Sequence, residues 1–170
     1  MVRASVRAVS PPASAGQRVL SLWRSLSPLP FGPALFMLLF GRQVPYSGAL
    51  GARVRRLEPG RVRLELADRR GVRNHLNSIH AVALANLGEL ASGLAMTTAL
   101  PAGVRGIVLG LQVEYLKKAR GTLSVEADVT VPEVRASTDF DVRAEIRDAA
   151  GEPVARVTVR WRLGPVPPPA

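Results

Sequence analysis

Cysteine is absent from the chain, which excludes disulfides, thiolate zinc sites and cysteine nucleophiles together. Aromatic residues make up only 5% of it, and they are not interleaved with basic residues as in nucleic-acid-binding motifs. Long apolar runs are missing too: the best candidate, Leu29 to Phe40, falls short of the roughly 18 residues of a membrane-spanning helix and contains Pro30 and Pro33. These absences favour a globular protein of the cytoplasm, and the sequence predicts neither a metal site nor a cofactor.

Acidic residues are scarce. The chain has 23 basic and 13 acidic residues, a net charge of +10, and its only lysines are Lys117 and Lys118. Such a balance suits an anionic partner, either nucleic acid, anionic lipid or a small molecule that bears phosphate. A GC-rich genome would explain the arginines equally well. Because no nucleic-acid motif is present, we expect no nucleic-acid partner and leave open a weak contact with a membrane surface.

The pattern along the 170 residues predicts one main domain with extensions. Residues 1–15 are small, basic and proline-bearing, and are expected to be disordered. Residues 16–47 carry apolar positions at helical spacing, divided by prolines into two short helices that either cover the main domain or lie on a lipid interface. Residues 48–164 form the main domain, and residues 165–170 are a proline-rich tail.

Most of the main domain alternates between apolar and polar residues with period two, which predicts half-buried antiparallel strands. The run from Gly106 to Leu116 is more apolar, so we expect it in the centre of the sheet. One helix, from about Ser78 to Thr98, is apolar almost all round and must be buried. The simplest arrangement is an α+β fold in which an antiparallel sheet wraps one long helix.

Glu89 is the only charged residue between Ala81 and Leu100. A carboxylate inside an apolar helix is desolvated, which raises its pKa and makes it a better base near neutral pH. A buried ion pair with an arginine is the structural alternative. His80 is interpreted as a cap or as a catalytic donor, Asn74 as a loop brace or as a catalytic residue, and Ser78 as the helix N-cap.

The segment from Asn74 to His80, followed nine residues later by Glu89, resembles the active-site segment of hotdog acyl-CoA thioesterases of the phenylacetate-degradation type. The chain is also similar to an uncharacterised group of bacterial hotdog domains with RNHLNSIH-like and EYLKKARG-like stretches. The resemblance covers about Gly48 to Gly164. It implies the hotdog fold and a homodimer, or a dimer of dimers, with sites at the subunit interface.

The resemblance also implies roles for individual residues. Glu89 would be the base or nucleophile of thioester hydrolysis, with Asn74 and His80 in the same site. The main-chain N–H groups of Ala81 and Val82 would form the oxyanion site at the helix N-terminus. These two residues stand where the family usually has glycines, and the valine narrows the approach to the backbone.

Lys117, Lys118 and Arg120 end the predicted central strand in a turn. They are either a solvated turn or a clamp for the phosphates of coenzyme A, which hotdog thioesterases commonly bind near such a turn.

Three hypotheses follow. The first is an acyl-CoA thioesterase that acts through Glu89. The second is a non-catalytic hotdog protein that binds acyl-CoA or a fatty acyl chain. The third is a basic protein associated with a membrane surface or with nucleic acid, in which residues 16–41 and the arginines would be the functional parts.

Overall fold

The computed structural model describes residues 14–166. Most of the N-terminus that was predicted to be disordered, residues 1–13, lies outside this range, as do residues 167–170 of the predicted tail. The helices are α1 (Ala15–Leu26), α2 (Gly32–Gln43), α3 (Pro45–Ala49) and α4 (Ala81–Ala99). The strands are β1 (Arg53–Glu58), β2 (Arg61–Leu66), β3 (Val104–Tyr115), β4 (Leu123–Asp128), β5 (Thr138–Arg147) and β6 (Pro153–Pro165).

The six strands form one antiparallel sheet in the order β1-β2-β4-β5-β6-β3, and α4 packs against its inner face. Close packing requires a glycine at position 88, because a Cβ there would lie 2.4 Å from the Val157 side chain on β6. The inner-face positions of the strands are mostly valine, leucine, isoleucine and alanine, and they are buried with the sheet-facing side of α4. The predicted α+β arrangement, a sheet wrapped round one helix, is therefore confirmed.

The outer face of the sheet is a ladder of ion pairs. Several residues that lie opposite each other in the register carry opposite charges, as with Arg61 and Asp128 on β2 and β4, which approach to 2.8 Å. The same arrangement joins β5 to β6, where Asp141 lies 3.0 Å from Arg160. Cross-strand pairs of opposite charge stabilise a sheet and keep this face polar.

The prediction that Gly106–Leu116 lies at the centre of the sheet is wrong. β3 is an edge strand that pairs only with β6. Its apolar side chains are largely exposed, with Ile107 at 64%. An apolar run predicts burial on both faces, but within residues 14–166 most of the apolar side chains of β3 stay exposed, and its outer edge is unpaired.

The helices before β1 pack on the main domain through one side only. Trp23 of α1 meets the fully buried ring of Phe36 of α2 edge to face, with ring centroids 5.2 Å apart. α1 also lies so close to α4 that a Cβ at Gly16 would lie 2.1 Å from the Thr97 carbonyl oxygen. The inward side of these helices therefore covers the main domain, as one of the two predictions expected. The outward side of α2 remains exposed and apolar.

Candidate active site at the start and middle of the central helix

The loop that leads into α4 is held by main-chain hydrogen bonds to two other segments. The Ile79 N–H donates to the Ala119 carbonyl (2.8 Å), and the His80 N–H donates to the Val72 carbonyl (2.8 Å). Ile79 itself is buried. These contacts fix the direction in which α4 starts, and they place the turn that contains Ala119 beside the helix N-terminus.

Asn74 braces this loop through its side-chain oxygen. Asn74 Oδ1 accepts hydrogen bonds from the Leu76 N–H (2.9 Å), the Ser78 N–H (3.2 Å) and the Ser78 hydroxyl (3.2 Å). Asn77 between them adopts a left-handed backbone with φ 53°, which asparagine tolerates better than most residues. The side-chain nitrogen of Asn74 forms no hydrogen bond within residues 14–166, so its two N–H groups remain available to a ligand.

The helix begins at Ala81, and the prediction of Ser78 as its N-cap is wrong. His80 is the N-cap, and its Nδ1 accepts the Val82 N–H at 3.1 Å. The Ser78 hydroxyl is bonded to Asn74 instead, because the loop turns back on itself before the helix starts. Accepting at Nδ1 requires that a neutral His80 ring carries its proton on Nε2.

The two predicted oxyanion donors differ in availability. The Val82 N–H is already bonded to His80, whereas the Ala81 N–H has no partner within residues 14–166. The hydroxyl of Tyr115, on β3, donates to the Ala81 carbonyl at 3.1 Å and so anchors the first turn of the helix. Of these two residues, Ala81 alone keeps a free donor at the positive end of the helix dipole.

Glu89 lies two turns further along α4, on the side that the sheet does not cover. Its side chain is partly buried, and desolvation raises its pKa above that of an ordinary glutamate. Gly93 lies one turn away and leaves the carboxylate uncrowded, since a Cβ there would still be 3.8 Å from Glu89 Oε1. The remainder of α4 is less uniformly buried than the sequence predicts, because a stripe at helical spacing stays partly exposed: Val82, Asn86, Glu89, Gly93.

The absence of a charged partner sets Glu89 apart. All 13 acidic residues lie within the described range, and every one except Glu89 forms a salt bridge with an arginine or lysine. The alternative that Glu89 belongs to a buried ion pair is therefore wrong for the described chain. A partly buried carboxylate without a partner costs stability, which points to a role other than folding.

Asp68 is a site residue that the sequence analysis missed. Its side chain accepts a hydrogen bond from Arg73 Nε (2.6 Å) at the start of the Asn74 loop and another from the Gly121 N–H (2.9 Å) after the Lys117–Arg120 turn. The Arg73 hydrogen bond is the main reason that the pKa of Asp68 is lowered. Asp68 thus ties together two segments that are far apart in sequence, and no local pattern signals such a contact.

The three cations of the turn after β3, Lys117, Lys118 and Arg120, differ in whether they form salt bridges. Lys117 bonds to Asp148 (2.8 Å) and to Glu152, and these carboxylates raise its pKa. Lys118 and Arg120 are exposed and form no salt bridge within residues 14–166. Since Ala119 between them bonds to Ile79, these two cations flank the helix N-terminus, whereas Lys117 does not remain free for a ligand.

Asn86 is a second residue that the sequence analysis did not single out. It lies on the exposed stripe one turn before Glu89, and its Oδ1 accepts a hydrogen bond from the Ser47 hydroxyl of α3 at 3.3 Å. This bond brings the N-terminal helices to the border of the candidate site. The described residues bring together no group of three His, Asp or Glu side chains that could hold a metal ion.

The free Ala81 N–H and the Glu89 carboxylate lie far apart on α4. Ala81 and Glu89 are eight residues apart on one helix, which separates them by about 12 Å along its axis. A thioester carbonyl and its attacking water span only about 3 Å. Within one chain, the Ala81 N–H and the Glu89 backbone are therefore further apart than such a reacting pair spans.

Comparison with known families agrees with this architecture. Residues 32–163 match the model of a domain of unknown function, DUF4442. The chain belongs to the DUF4442 family. Curated protein sequences give no match to it.

Comparison with solved structures extends the likeness. The structural-genomics protein APC5556 is similar at 30% identity and a TM-score of 0.77, over 88% of this chain and 97% of that one. A Pseudomonas aeruginosa protein, PA5026, described as of unknown function and a probable thioesterase, is similar at 26% identity and a TM-score of 0.70, over 81% of this chain and 97% of that one.

A more distant structure comes from Ralstonia eutropha. It is described as a thioesterase-type protein related to phenylacetic acid degradation, and it matches at 20% identity with a TM-score of 0.59, over 69% of this chain and 89% of that one. At this identity the likeness concerns the fold alone. Together these structures confirm the predicted resemblance: the DUF4442 domain described here has the hotdog fold.

Proposed function

We propose that this DUF4442 protein is an acyl-CoA thioesterase whose catalytic carboxylate is Glu89. The observation that carries the proposal is the environment of this residue: it is the one acid in residues 14–166 without a cationic partner, and its pKa is raised by desolvation on a helix that is otherwise apolar. The probable-thioesterase description of the Pseudomonas aeruginosa relative supports the same reaction class.

The proposed reaction needs few groups. The ionised Glu89 takes a proton from water, the hydroxide adds to the thioester carbonyl, and collapse of the tetrahedral intermediate expels the coenzyme A thiolate, which takes up a proton. Alternatively, the Glu89 carboxylate adds to the carbonyl and expels the coenzyme A thiolate, which takes up a proton; water then hydrolyses the resulting mixed anhydride to the free acid and restores Glu89. The free Ala81 N–H and the positive helix terminus stabilise the oxyanion in either case.

The geometry of α4 favours a site shared between two chains. Because Ala81 and Glu89 of one helix are about 12 Å apart, the oxyanion donor and the carboxylate that act together come from opposite subunits. The unused N–H groups of Asn74 lie beside the helix start, on the donor's side of such a shared site. The proposed enzyme is thus a homodimer or a dimer of dimers.

The open edge of β3 provides a surface for this dimer. This strand is 12 residues long, and it carries no charge from Gly106 to Val113. A long, apolar, unpaired strand edge is a template for pairing with another chain. Pairing of two β3 edges would also bring the Tyr115–Ala81 contact, and with it the helix start, towards the second subunit.

Coenzyme A offers phosphates to the two exposed cations near the helix N-terminus. Lys118 and Arg120 are exposed and flank Ala119, which is bonded to the loop that starts α4. Lys117, included in this group from the sequence alone, is left out because Asp148 and Glu152 hold it. The role of His80 in this proposal is to fix the first turn as its cap, with no direct part in bond breaking.

The test is a thiol-release assay over short, long and aromatic acyl-CoAs. We expect the parent to hydrolyse members of the series, and Glu89→Gln to lower kcat by at least about a hundredfold. Glu133→Gln is the matched control, because Glu133 is an exposed glutamate whose only salt bridge is to Arg135. Equal turnover by Glu89→Gln and the control would refute the proposed role of Glu89.

A second candidate function is favoured by one observation at the helix start. The Val82 N–H is occupied by His80, and the Val82 side chain stands 54% exposed where the resembled thioesterases usually have glycine. Here one of the two predicted oxyanion donors is occupied, and the Val82 side chain narrows the access of a thioester to the backbone. Such a site suits a protein that binds acyl-CoA without hydrolysing it. Calorimetry, combined with the thiol-release assay, distinguishes the two functions. A non-catalytic protein would bind acyl-CoA in the calorimeter and release no thiol in the assay.

A further inference from the structure

The outward side of α2 is apolar, although solvent-facing helix surfaces normally carry polar residues. Phe31, Leu35 and Leu38 lie at helical spacing on this side, and we call them the α2 outer face. They are 88%, 42% and 56% exposed, respectively. Nothing within residues 14–166 covers this face, and an exposed apolar patch of this kind is typical of a surface that binds another molecule or a lipid surface.

The tip of the face is held in a costly conformation. Phe31, the N-cap of α2, has φ 61° and ψ 7°, in the left-handed region that bulky residues avoid. The next residue must be glycine, since a Cβ at Gly32 would lie 1.7 Å from the Leu26 carbonyl oxygen. The turn between α1 and α2 therefore presents an aromatic ring to solvent at an energetic cost, without any packing in return.

Charge identifies the occupant. Residues 25–41 contain no charged side chain, and exposed arginines, Arg24 and Arg42, flank them on either side. Neither arginine forms a salt bridge within residues 14–166. The first acidic residue of the whole chain is Glu58. The N-terminal helices thus combine an apolar face with a positive border and no acid to offset it.

We propose that the α2 outer face docks on the surface of an anionic lipid bilayer. Phe31, Leu35 and Leu38 would enter the interface, while Arg24 and Arg42 contact lipid phosphates. A two-fold contact between copies through the same face would instead set these arginines against each other. None of the helices within residues 14–166 has the length and apolar character to cross a bilayer, and a docked helix needs neither.

The test is flotation of the full chain with vesicles of phosphatidylcholine, alone or mixed with phosphatidylglycerol. We expect binding only to the mixed vesicles, weakened by added salt because the Debye length shortens. The double variant Phe31→Ser, Leu38→Ser should weaken binding at least about tenfold, as should Arg24→Gln with Arg42→Gln. Val166→Ser and Arg143→Gln are matched controls: each alters an exposed residue outside the N-terminal helices and should bind as the parent does.

Two results would overturn the proposal. One is a parent chain that floats with neither kind of vesicle. The other is a fall in the mass of the assembly, measured by light scattering, in the Phe31→Ser, Leu38→Ser variant, which would make the α2 outer face a subunit interface. Because both side chains are exposed, thermal unfolding of this variant should match that of the parent, and this measurement separates lost binding from lost folding.

Discussion

The outer face of the sheet and the open side of α4 use charge in opposite ways. On the sheet, opposed strands place each acid against a cation, as with Asp141 and Arg160 at 3.0 Å. On α4 the single acid, Glu89, has no partner, and the Ala81 N–H at the helix start is unbonded within the described residues. A surface whose charged groups and hydrogen-bond donors all have partners needs no further ligand. A surface that leaves such groups without partners is where we expect a substrate or a second subunit to bind.

The edges of the sheet repeat this contrast. β1 is short and carries Arg53, Arg55 and Arg56, and both features discourage pairing with another chain. β3 is twice as long and uncharged over most of its length. The hydroxyl of Tyr115 links this unpaired edge to the start of α4 through its hydrogen bond to the Ala81 carbonyl.

The largest expected effect on assembly comes from charging the β3 edge. Leu109→Lys would set two like charges near each other where two β3 strands pair, so we expect loss of the dimer and at least a tenfold fall in thioesterase activity. Light scattering and thiol release measure the two effects. Val166→Lys, which charges another exposed apolar position outside β3, is the control. A Leu109→Lys chain that stays dimeric and active would contradict the proposed interface.

Replacing Asp68 should lower the stability of the fold more than it lowers the rate of hydrolysis. Asp68→Asn loses the charge that holds Arg73, so we expect the free energy of unfolding to fall by about 1–2 kcal/mol. Denaturant unfolding measures this loss. If Asp68 joins the Asn74 loop to the cationic turn, hydrogen exchange at Gly121 should also become faster, and unchanged exchange there would argue against that link.

Glu89→Gln should stabilise the fold while it removes activity. The substitution replaces a desolvated, unpartnered carboxylate with a neutral amide, and we expect Tm at neutral pH to rise by about 2–4 °C, the shift that roughly 1 kcal/mol gives in a chain of this size. Calorimetry measures it. A lower Tm would mean that the ionised Glu89 has a stabilising partner after all.

Glu89 and Asp68 should contribute to the pH dependence of stability with opposite signs. The folded-state pKa of Glu89 is raised, so its contribution to stability is present below about pH 4.3, the unfolded value, and is lost as pH rises through the folded value. The pKa of Asp68 is lowered, so its contribution is present above about pH 3.9 and is lost as pH falls through the folded value. Unfolding curves across this range, compared with the parent, check both signs.

The smallest effect is expected on the outer face. Asp141→Asn removes one exposed ion pair out of a ladder, and exposed pairs contribute little because water screens them. We expect Tm to stay within about 2 °C of the parent value and turnover to be unchanged. A larger loss would mean that the outer face is covered in the working assembly.

Sequence patterns predicted the architecture because they are local. Alternation along the strands and the apolar run of α4 require only neighbours in the chain, and Glu89 is conspicuous within that run. The position of β3 at the edge could not be predicted, since an apolar strand looks the same whether another strand or another subunit covers it. The bond between Asp68 and Gly121, and the capture of Lys117 by Asp148, depend on contacts between distant segments and left no local signal.

A mixed-subunit experiment tests the shared site most directly. Asn74→Asp keeps the side-chain oxygen that braces the loop and removes the two N–H donors, so it should be inactive without loss of the fold. Mixed dimers of Asn74→Asp and Glu89→Gln subunits, isolated with two different tags, would contain one intact site and one doubly altered site. We expect them to regain about half of the parental rate per dimer. Mixed dimers that remain as inactive as either variant alone would contradict a site built from Glu89 of one subunit and Asn74 of the other.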